Sequence, residues 1–211
     1  MTGSPDREAA LALVPVSRET GERLDLLAGE LRRWQAVKNL VGPKTLERVW
    51  TRHIADSLQL LDYVPGARTW LDIGSGAGFP GLVLGIAAIE RPGMSVDLVE
   101  SNGRKCAFLR HVVRLTGAPV RVHEARVEAA IGGFTGFDVV TARALAPLPQ
   151  LLAWTEPLLT SGTLGLFPKG REAEAELTEA AKSWTLRAEL LPSRTDSEAR
   201  VVRIHSLTKR G

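Results

Sequence analysis

Apolar residues recur first at helical spacing and then at strand spacing along the chain. Between residues 18 and 40, Leu24, Leu27, Leu31 and Trp34 fall three and four apart, which predicts an amphipathic helix. A second helix is predicted over 45–61, with Val49, Ile54, Leu58 and Leu61 on its apolar face. Gly42-Pro43 separates the two, and Pro65-Gly66 ends the helical part. From Thr69 the runs become short and β-branched. Strands are predicted over 69–73, 95–100, 120–123, 137–141 and 162–167. Helical patterns over 80–89, 104–115, 148–159 and 172–181 alternate with them. The last two strands, 186–190 and 200–207, have only a polar connection between them.

Alternating strands and helices imply right-handed crossovers and a parallel sheet covered on both faces. The final two strands should pair antiparallel. The expected fold is therefore α/β, a Rossmann-like sheet of the class I S-adenosylmethionine-dependent methyltransferase type. It is mostly parallel, ends in an antiparallel hairpin and follows an N-terminal helical extension. The expected division is 1–66 for the N-terminal segment and helices and 67–211 for the sheet domain, packed as one globular unit. The sequence leaves the order of the first 17 residues open, their mixed charge and two prolines being compatible with disorder.

The glycine-rich turn carries the candidate chemistry. Leu71-Asp72-Ile73-Gly74-Ser75-Gly76-Ala77-Gly78-Phe79-Pro80-Gly81 lies between a strand and a helix, where open α/β sheets bind nucleotide-like ligands. Gly76, Gly78 and Gly81 fit the dinucleotide pattern G-x-G-x-x-G. Asp72, Gly74, Gly76 and Gly78 fit D-x-G-x-G-x-G, the pattern used for S-adenosylmethionine. Asp72 is expected to project into the crevice, where it would attract a cationic amino-acid nucleoside and repel a pyrophosphate. Glu100, ending the second strand, suits a ribose diol in either ligand. Val127 and Glu128 stand where an adenine ring would pack and donate its amine proton.

Composition narrows the class. The chain has 211 residues, 44% hydrophobic and 24% charged, an ordinary globular balance. One cysteine, Cys106, excludes an internal disulfide and a thiolate-rich metal site, and fits a cytoplasmic setting. No apolar run is long enough to span a membrane. Net charge is +3, but the cations are clustered. Arg32, Arg33, Lys38, Lys44, Arg48 and Arg52 form one basic stretch. Arg104, Lys105, Arg110, Arg114, Arg121 and Arg126 form another. Such stretches suit a polyanion, although each is equally readable as a solvated helix face.

These residues together resemble the bacterial small-subunit ribosomal RNA guanine-N7 methyltransferases, the RsmG (GidB) family. The resemblance rests on Trp34, Asn39-Leu40, His53-Ile54-Ala55-Asp56-Ser57-Leu58, the glycine turn, Glu100-Ser101 and Arg104-Lys105. It continues through Phe108-Leu109, Arg126-Val127-Glu128, Phe137-Asp138, Arg143-Ala144 and Lys169-Gly170. Gln35, Val41 and Asn102-Gly103 depart from it. The resemblance implies methyl transfer from S-adenosylmethionine, giving S-adenosylhomocysteine, to N7 of one guanine in 16S ribosomal RNA. Loss of that methyl group is associated in the family with streptomycin resistance. The implied partner is 16S RNA or the small ribosomal subunit, and a monomer is expected.

The resemblance places the cofactor around Gly74, Phe79, Glu100, Val127, Glu128 and Arg143, and the turn and strand-end residues Asp72, Ser75, Gly76, Gly78, Ser101, Ala125 and Arg126 complete the expected cofactor site. Arg143 and Lys169 are the candidates at the reacting centre. Arg143 would orient the guanine O6/N7 edge or hold the methionine carboxylate, with an ion pair to Asp138 or Asp72 as the plainer alternative. Lys169 would meet RNA phosphate or guanine, or lie on the surface. His53 is expected to bond Asp56 or backbone, and neither it nor Cys106 is assigned as base or nucleophile. No metal is expected. The alternatives are a noncatalytic RNA-binding factor, a nicotinamide-dependent oxidoreductase and a small-molecule methyltransferase.

Overall fold

A computed structural model describes residues 4–35, 42 and 46–210. Residues 36–41 and 43–45, which include the end of the first expected helix, the start of the second and Lys38, Asn39, Leu40, Val41, Pro43 and Lys44, lie outside the described residues.

The N-terminal part is helical from its start. Helix α1 (Pro5–Leu13) has Ser4 at its N-cap, a proline in the first turn and Asp6 and Glu8 beside it. Those are start signals for a helix, and here they outweigh the mixed charge that left the order of this segment open. Helix α2 (Arg18–Gln35) buries Leu24, Leu27 and Leu31. A π-helical stretch, Trp50–Ala55, runs into α3 (Asp56–Leu58) and α4 (Leu60–Tyr63). Asp6 joins the two regions. Its carboxylate accepts from the Trp50 N–H at 2.8 Å, the Thr51 N–H at 3.2 Å and the Thr51 hydroxyl at 2.6 Å. The first N–H groups of a helix lack internal partners, so the side chain supplies what the helix cannot.

The rest alternates as expected. It comprises β1 (Thr69–Ile73), α5 (Gly81–Ala88), β2 (Ser95–Glu100), α6 (Gly103–Thr116) and β3 (Val120–Glu124). A one-turn α7 (Val127–Ala130) precedes β4 (Val139–Thr141), α8 (Leu148–Thr160), β5 (Leu164–Lys169) and α9 (Ala173–Ala180). The chain closes with β6 (Trp184–Pro192) and β7 (Arg200–Lys209). Strand order is β3-β2-β1-β4-β5-β7-β6. The first five strands run parallel, and β7 inserts antiparallel between β5 and β6. The chain winds outward from β1 to β3 and then returns to β4. Beside β1 the connections therefore diverge and leave a crevice at the strand ends.

One buried cluster lies on each face of the sheet. Trp70, Leu82 and Phe108 join α2, α5 and α6 on one side. Leu71, Ile73, Leu152 and Phe167 join α8 on the other. Trp50 is buried as expected, while Trp34 is partly buried and packs edge-on against Phe108, with centroids 5.5 Å apart. Asp138 pins the start of β1, accepting from the Arg68 and Thr69 N–H groups at 2.7 and 2.9 Å. Those two backbone bonds hold its carboxyl below the usual range.

Asp6→Ala should strand two helix N–H groups and lower stability by about 1–3 kcal/mol. Denaturant unfolding checks this, and an unchanged midpoint would contradict the anchoring role.

Candidate active site

The turn from Gly74 to Phe79 leaves β1 and enters α5. Gly74 has φ +66°, and a Cβ there would stand 2.5 Å from Leu145 Cδ1. Only glycine allows both the left-handed backbone and the approach of the segment after β4. Gly76 donates its N–H to Glu100 Oε2 at 2.8 Å. Glu100 Oε1 accepts from the Asn102 N–H, also at 2.8 Å. The carboxylate at the end of β2 is thus held by two backbone donors and still has lone pairs for a ligand.

Asp72 corrects the expectation. It is fully buried and turned beneath the glycine turn, where Oδ2 accepts from the Gly81 N–H at 3.1 Å. Among the described residues its Oδ1 has no partner, and neither does the buried Thr141 hydroxyl at the paired position of β4. Burial pushes the carboxyl up to about 7. Asp72 shares a sheet face with Trp70, against α5, so it fastens the turn to the helix and does not border the crevice. Gly78 also stays outside the cleft, because a Cβ there would meet Leu82 and Leu109.

The other expected cofactor residues come together around a cleft of about 450 Å³. Gly74, Ser75, Gly76 and Phe79 form one wall, and Glu100 and Ser101 lie at the end of β2. Ala125, Arg126, Val127 and Glu128 stand at the end of β3, and Arg143 after β4. That volume suits a nucleoside-sized ligand. A second cavity of about 550 Å³ adjoins it, bordered by Arg52, Asp56, Lys169, Thr195 and Arg200. His53, Arg143, Ala144 and Leu145 border both spaces. Ala144 holds φ +54°, which turns the backbone sharply inside this shared wall.

Arg143 is caged. Nη1 donates to the Arg52 carbonyl at 3.0 Å and to Asp56 Oδ2 at 3.1 Å, while Nη2 donates to His53 Nδ1 at 2.6 Å. The guanidinium lies 5.3 Å over the Phe79 ring, and His53 stacks on the same ring at 4.7 Å. The ion-pair partner is therefore Asp56, neither Asp138 nor Asp72, and His53 bonds Arg143 where Asp56 or backbone was expected. Burial lowers the Arg143 pKa, opposed by Asp56, yet arginine remains a cation. Burial, and then the charges of Arg143 and Arg52, push His53 down to about 3, so its imidazole is neutral.

Lys169 borders the second cavity only, and its Nζ donates to the Ala146 carbonyl at 2.8 Å and Glu176 Oε2 at 2.7 Å. The side chain is 9% exposed, so Lys169 is a buried brace for the segment after β4 and no surface lysine. Cys106 is buried, its thiol pushed up by burial and donating to the Glu100 carbonyl. Among the described residues no cluster of three or more His, Cys, Asp or Glu could hold a metal ion.

Several site residues carried no assignment in the sequence. Asp56 Oδ1 accepts from Gln59 Nε2 at 2.9 Å and the Thr195 hydroxyl at 2.8 Å. Gln59 is buried and accepts the Arg194 N–H at 2.8 Å. The β6–β7 connection is thereby strapped to the N-terminal helices. The run 53–58 was the available signal for Asp56. Thr195 sits in a polar connection that signals nothing locally.

Three kinds of comparison bear on this site. The model of the family described as rRNA small subunit methyltransferase G matches residues 21–200. A ribosomal RNA small subunit methyltransferase G from Methylobacterium sp. (strain 4-46) is 66% identical over 204 residues, covering 96% of each chain. One from Bradyrhizobium diazoefficiens is 53% identical over 207 residues, covering 98% of this chain and 79% of its own. Among solved structures, the Streptomyces achromogenes O-methyltransferase TomG, in complex with SAM, superposes with TM-score 0.63 at 14% identity, covering 95% of each chain. A Bacillus cereus O-methyltransferase in complex with SAH gives 0.61 at 16%, covering 95% of this chain and 96% of its own. At such identities the structures attest the fold alone.

Asp72 makes stability depend on pH. Its carboxyl titrates near 3.8 when unfolded and near 7 when folded, so the folded state holds the proton more tightly. The contribution is complete below about 3.8 and is lost as pH rises through about 7. Asp72→Asn should flatten that part of the profile. Unfolding midpoints of both proteins across this range check it, and parallel profiles would refute the assignment.

Proposed function

We propose, from the premise that this chain belongs to the rRNA small subunit methyltransferase G family, that it methylates N7 of a guanine in 16S ribosomal RNA. The observation that carries the reaction is the pair of adjoining cavities with one shared wall, a place for a donor beside a place for an acceptor base. S-adenosylmethionine would supply a sulfonium-bound methyl group to the N7 lone pair; the N–C bond forms as the S–C bond breaks, leaving S-adenosylhomocysteine.

The glycine cleft fits that donor. Glu100 offers fixed acceptor oxygens to the ribose hydroxyls, and Val127 offers an apolar surface to the adenine. Gly74 and Gly76 keep the floor free of side chains. Guanine N7 has an in-plane lone pair and no proton to lose, so the protein needs alignment and not a base. The purine gains positive charge as it is methylated. Asp56 and the Arg52 carbonyl offset the Arg143 charge beside it, and the neutral His53 adds none. A donor bonded to N7 would occupy the reacting lone pair, so Arg143 cannot take the O6/N7 edge bidentately during transfer. Its part is to shape the wall, while Lys169 braces the segment that carries it.

RNA would approach over the basic faces of α2 and α6, which pack together through Trp34 on Phe108 and His111 on Glu30. Arg32 and Arg33 end α2, and Arg104, Lys105, Arg110 and Arg114 lie on α6. We read residues 1–66 and 67–211 as one unit, acting as a monomer on 16S RNA or the small subunit. Among the described residues no helix is long and apolar enough to cross a membrane.

The test is mapping N7-methylated guanines in 16S RNA after incubation with the purified protein and S-adenosylmethionine. One methylated guanine is expected; donor binding without transfer would favour a noncatalytic factor. Glu100→Ala should weaken S-adenosylmethionine binding about 10- to 100-fold by calorimetry, because a fixed charged acceptor and its contacts vanish. Arg143→Ala strands Asp56, which costs several kcal/mol for a buried pair, and should lower activity about 100-fold or more. Arg187→Ala, at an exposed position of β6, should leave activity within about two-fold.

A further inference from the structure

The wall shared by the two cavities contains an unspent hydrogen-bond donor. Of the four residues bordering both spaces, only His53 and Arg143 carry side-chain donors. Arg143 commits three of its five N–H donors to the Arg52 carbonyl, Asp56 and His53, and none of its nitrogens is a buried donor without a partner. Arg143 can only donate, so His53 Nδ1 must be the acceptor and the neutral ring carries its proton on Nε2. That Nε2 is buried and has no hydrogen-bond partner among the described residues. Stacking on Phe79 and the bond from Arg143 fix the ring plane. A buried donor left without an acceptor is costly, and its persistence at a cleft is explained if a ligand completes it.

The chemistry of the acceptor edge identifies the ligand atom. N7 must meet the methyl group where the cavities adjoin. On a purine the neighbouring group on that same edge is the C6 substituent, an oxygen acceptor in guanine and an amino donor in adenine. Its partner must therefore also stand in the shared wall. We propose that His53 reads the acceptor base, its Nε2–H donating to O6 of the target guanine. This assignment rests on the methyl-transfer reading above and names the residue that makes the site choose guanine. His53 neither removes a proton nor attacks. A neutral donor suits the role, since it adds no charge beside a purine becoming cationic, and burial beside Arg143 and Arg52 keeps it neutral. An adenine would set its amino group against the Nε2–H, two donors facing each other with no acceptor between them.

The test pairs a variant with a changed base. Small subunits are reconstituted with 16S RNA carrying either guanine or 2-aminopurine, which lacks O6, at the methylated position. Wild-type protein should lose about 10- to 100-fold in kcat/KM on 2-aminopurine, the effect of stranding one buried donor. His53→Ala should lose a similar factor on guanine but little more on 2-aminopurine. His53→Gln, whose amide N–H can replace Nε2–H, should recover part of the discrimination. Calorimetry with S-adenosylmethionine and thermal unfolding accompany each variant. An undiminished 2-aminopurine penalty in a folded His53→Ala protein would overturn the assignment. So would a loss confined to S-adenosylmethionine affinity, since His53 would then serve the donor. Wild-type failure on guanine itself would instead fell the methyl-transfer reading, and this assignment with it.

Discussion

A buried guanidinium organises the molecule. Arg143 leaves the end of β4, yet every acceptor it uses comes from the N-terminal helices: the Arg52 carbonyl, His53 and Asp56. A charge removed from water must be paired and fully hydrogen-bonded or it destabilises the fold. Two parts of the chain about 90 residues apart are therefore forced into one arrangement. The constraint extends outward, because Asp56 is itself gripped by Gln59 and Thr195. Gln59 also holds the backbone of the β6–β7 connection at Arg194. N-terminal helices, sheet and terminal hairpin thus meet at one side chain. The β4–α8 segment is fixed from its other side by Lys169, through the Ala146 carbonyl and Glu176. A net stabilisation of several kcal/mol from such a cage is not required. Its effect is to tie the three segments together at one point, through Asp56, His53 and Gln59.

The glycine turn shows the same economy with two carboxyls of opposite character. Glu100 lies at a strand end and is held by two backbone N–H groups, so it offers acceptor capacity toward the cleft. Asp72 lies beneath the turn, where burial pushes its carboxyl up to about 7. One borders the cleft, and the other fixes the backbone of the turn beside it. Leu145 then covers Gly74 so closely that no side chain could be added there. The two cavities are separated by a few residues whose backbone and rings are already immobilised. Positioning of this kind is what a displacement at an in-plane lone pair asks of a protein.

Much of the fold was legible in the sequence because its signals are local. Strand runs, glycine punctuation and helical spacing fixed β1 through β7 to within a few residues, and the absent helix between β6 and β7 betrayed the hairpin. Helix α1 was also locally marked by Ser4, Pro5, Asp6 and Glu8, although the mixed charge of the same segment pointed the other way. The π-helical stretch Trp50–Ala55 has no distinct periodicity to read. Asp72 was misdirected for a correctable reason. Strand side chains alternate, and Trp70 belongs to the cluster under α5 while Leu71 and Ile73 belong to the opposite one. Alternation places Asp72 with Trp70, under the turn. The cage around Arg143 had no local signal, because its partners are set by the sheet's closure against the helices.

Charge in this molecule is most informative where it has been cancelled. Several cations of the two basic stretches are already committed within the fold. Arg33 pairs with Glu30, Arg52 with Asp196, and Arg110 with Glu124. Exposed pairs of this kind contribute little stability, and they leave the arginines at the surface with donors to spare for phosphate. At the centre the balance is stricter. Arg143 is offset by Asp56, and His53 is held neutral by burial and by two neighbouring arginines. A cationic cofactor and a base that becomes cationic on methylation would meet beside a wall with little net charge. An uncompensated arginine there would oppose both, whereas a free carboxylate would bind the donor too well to favour transfer. The cage therefore explains how an arginine can border a methyl-transfer site without raising its barrier. A basic exterior of this kind would attract a polyanion, and a neutralised interior would let methyl transfer proceed.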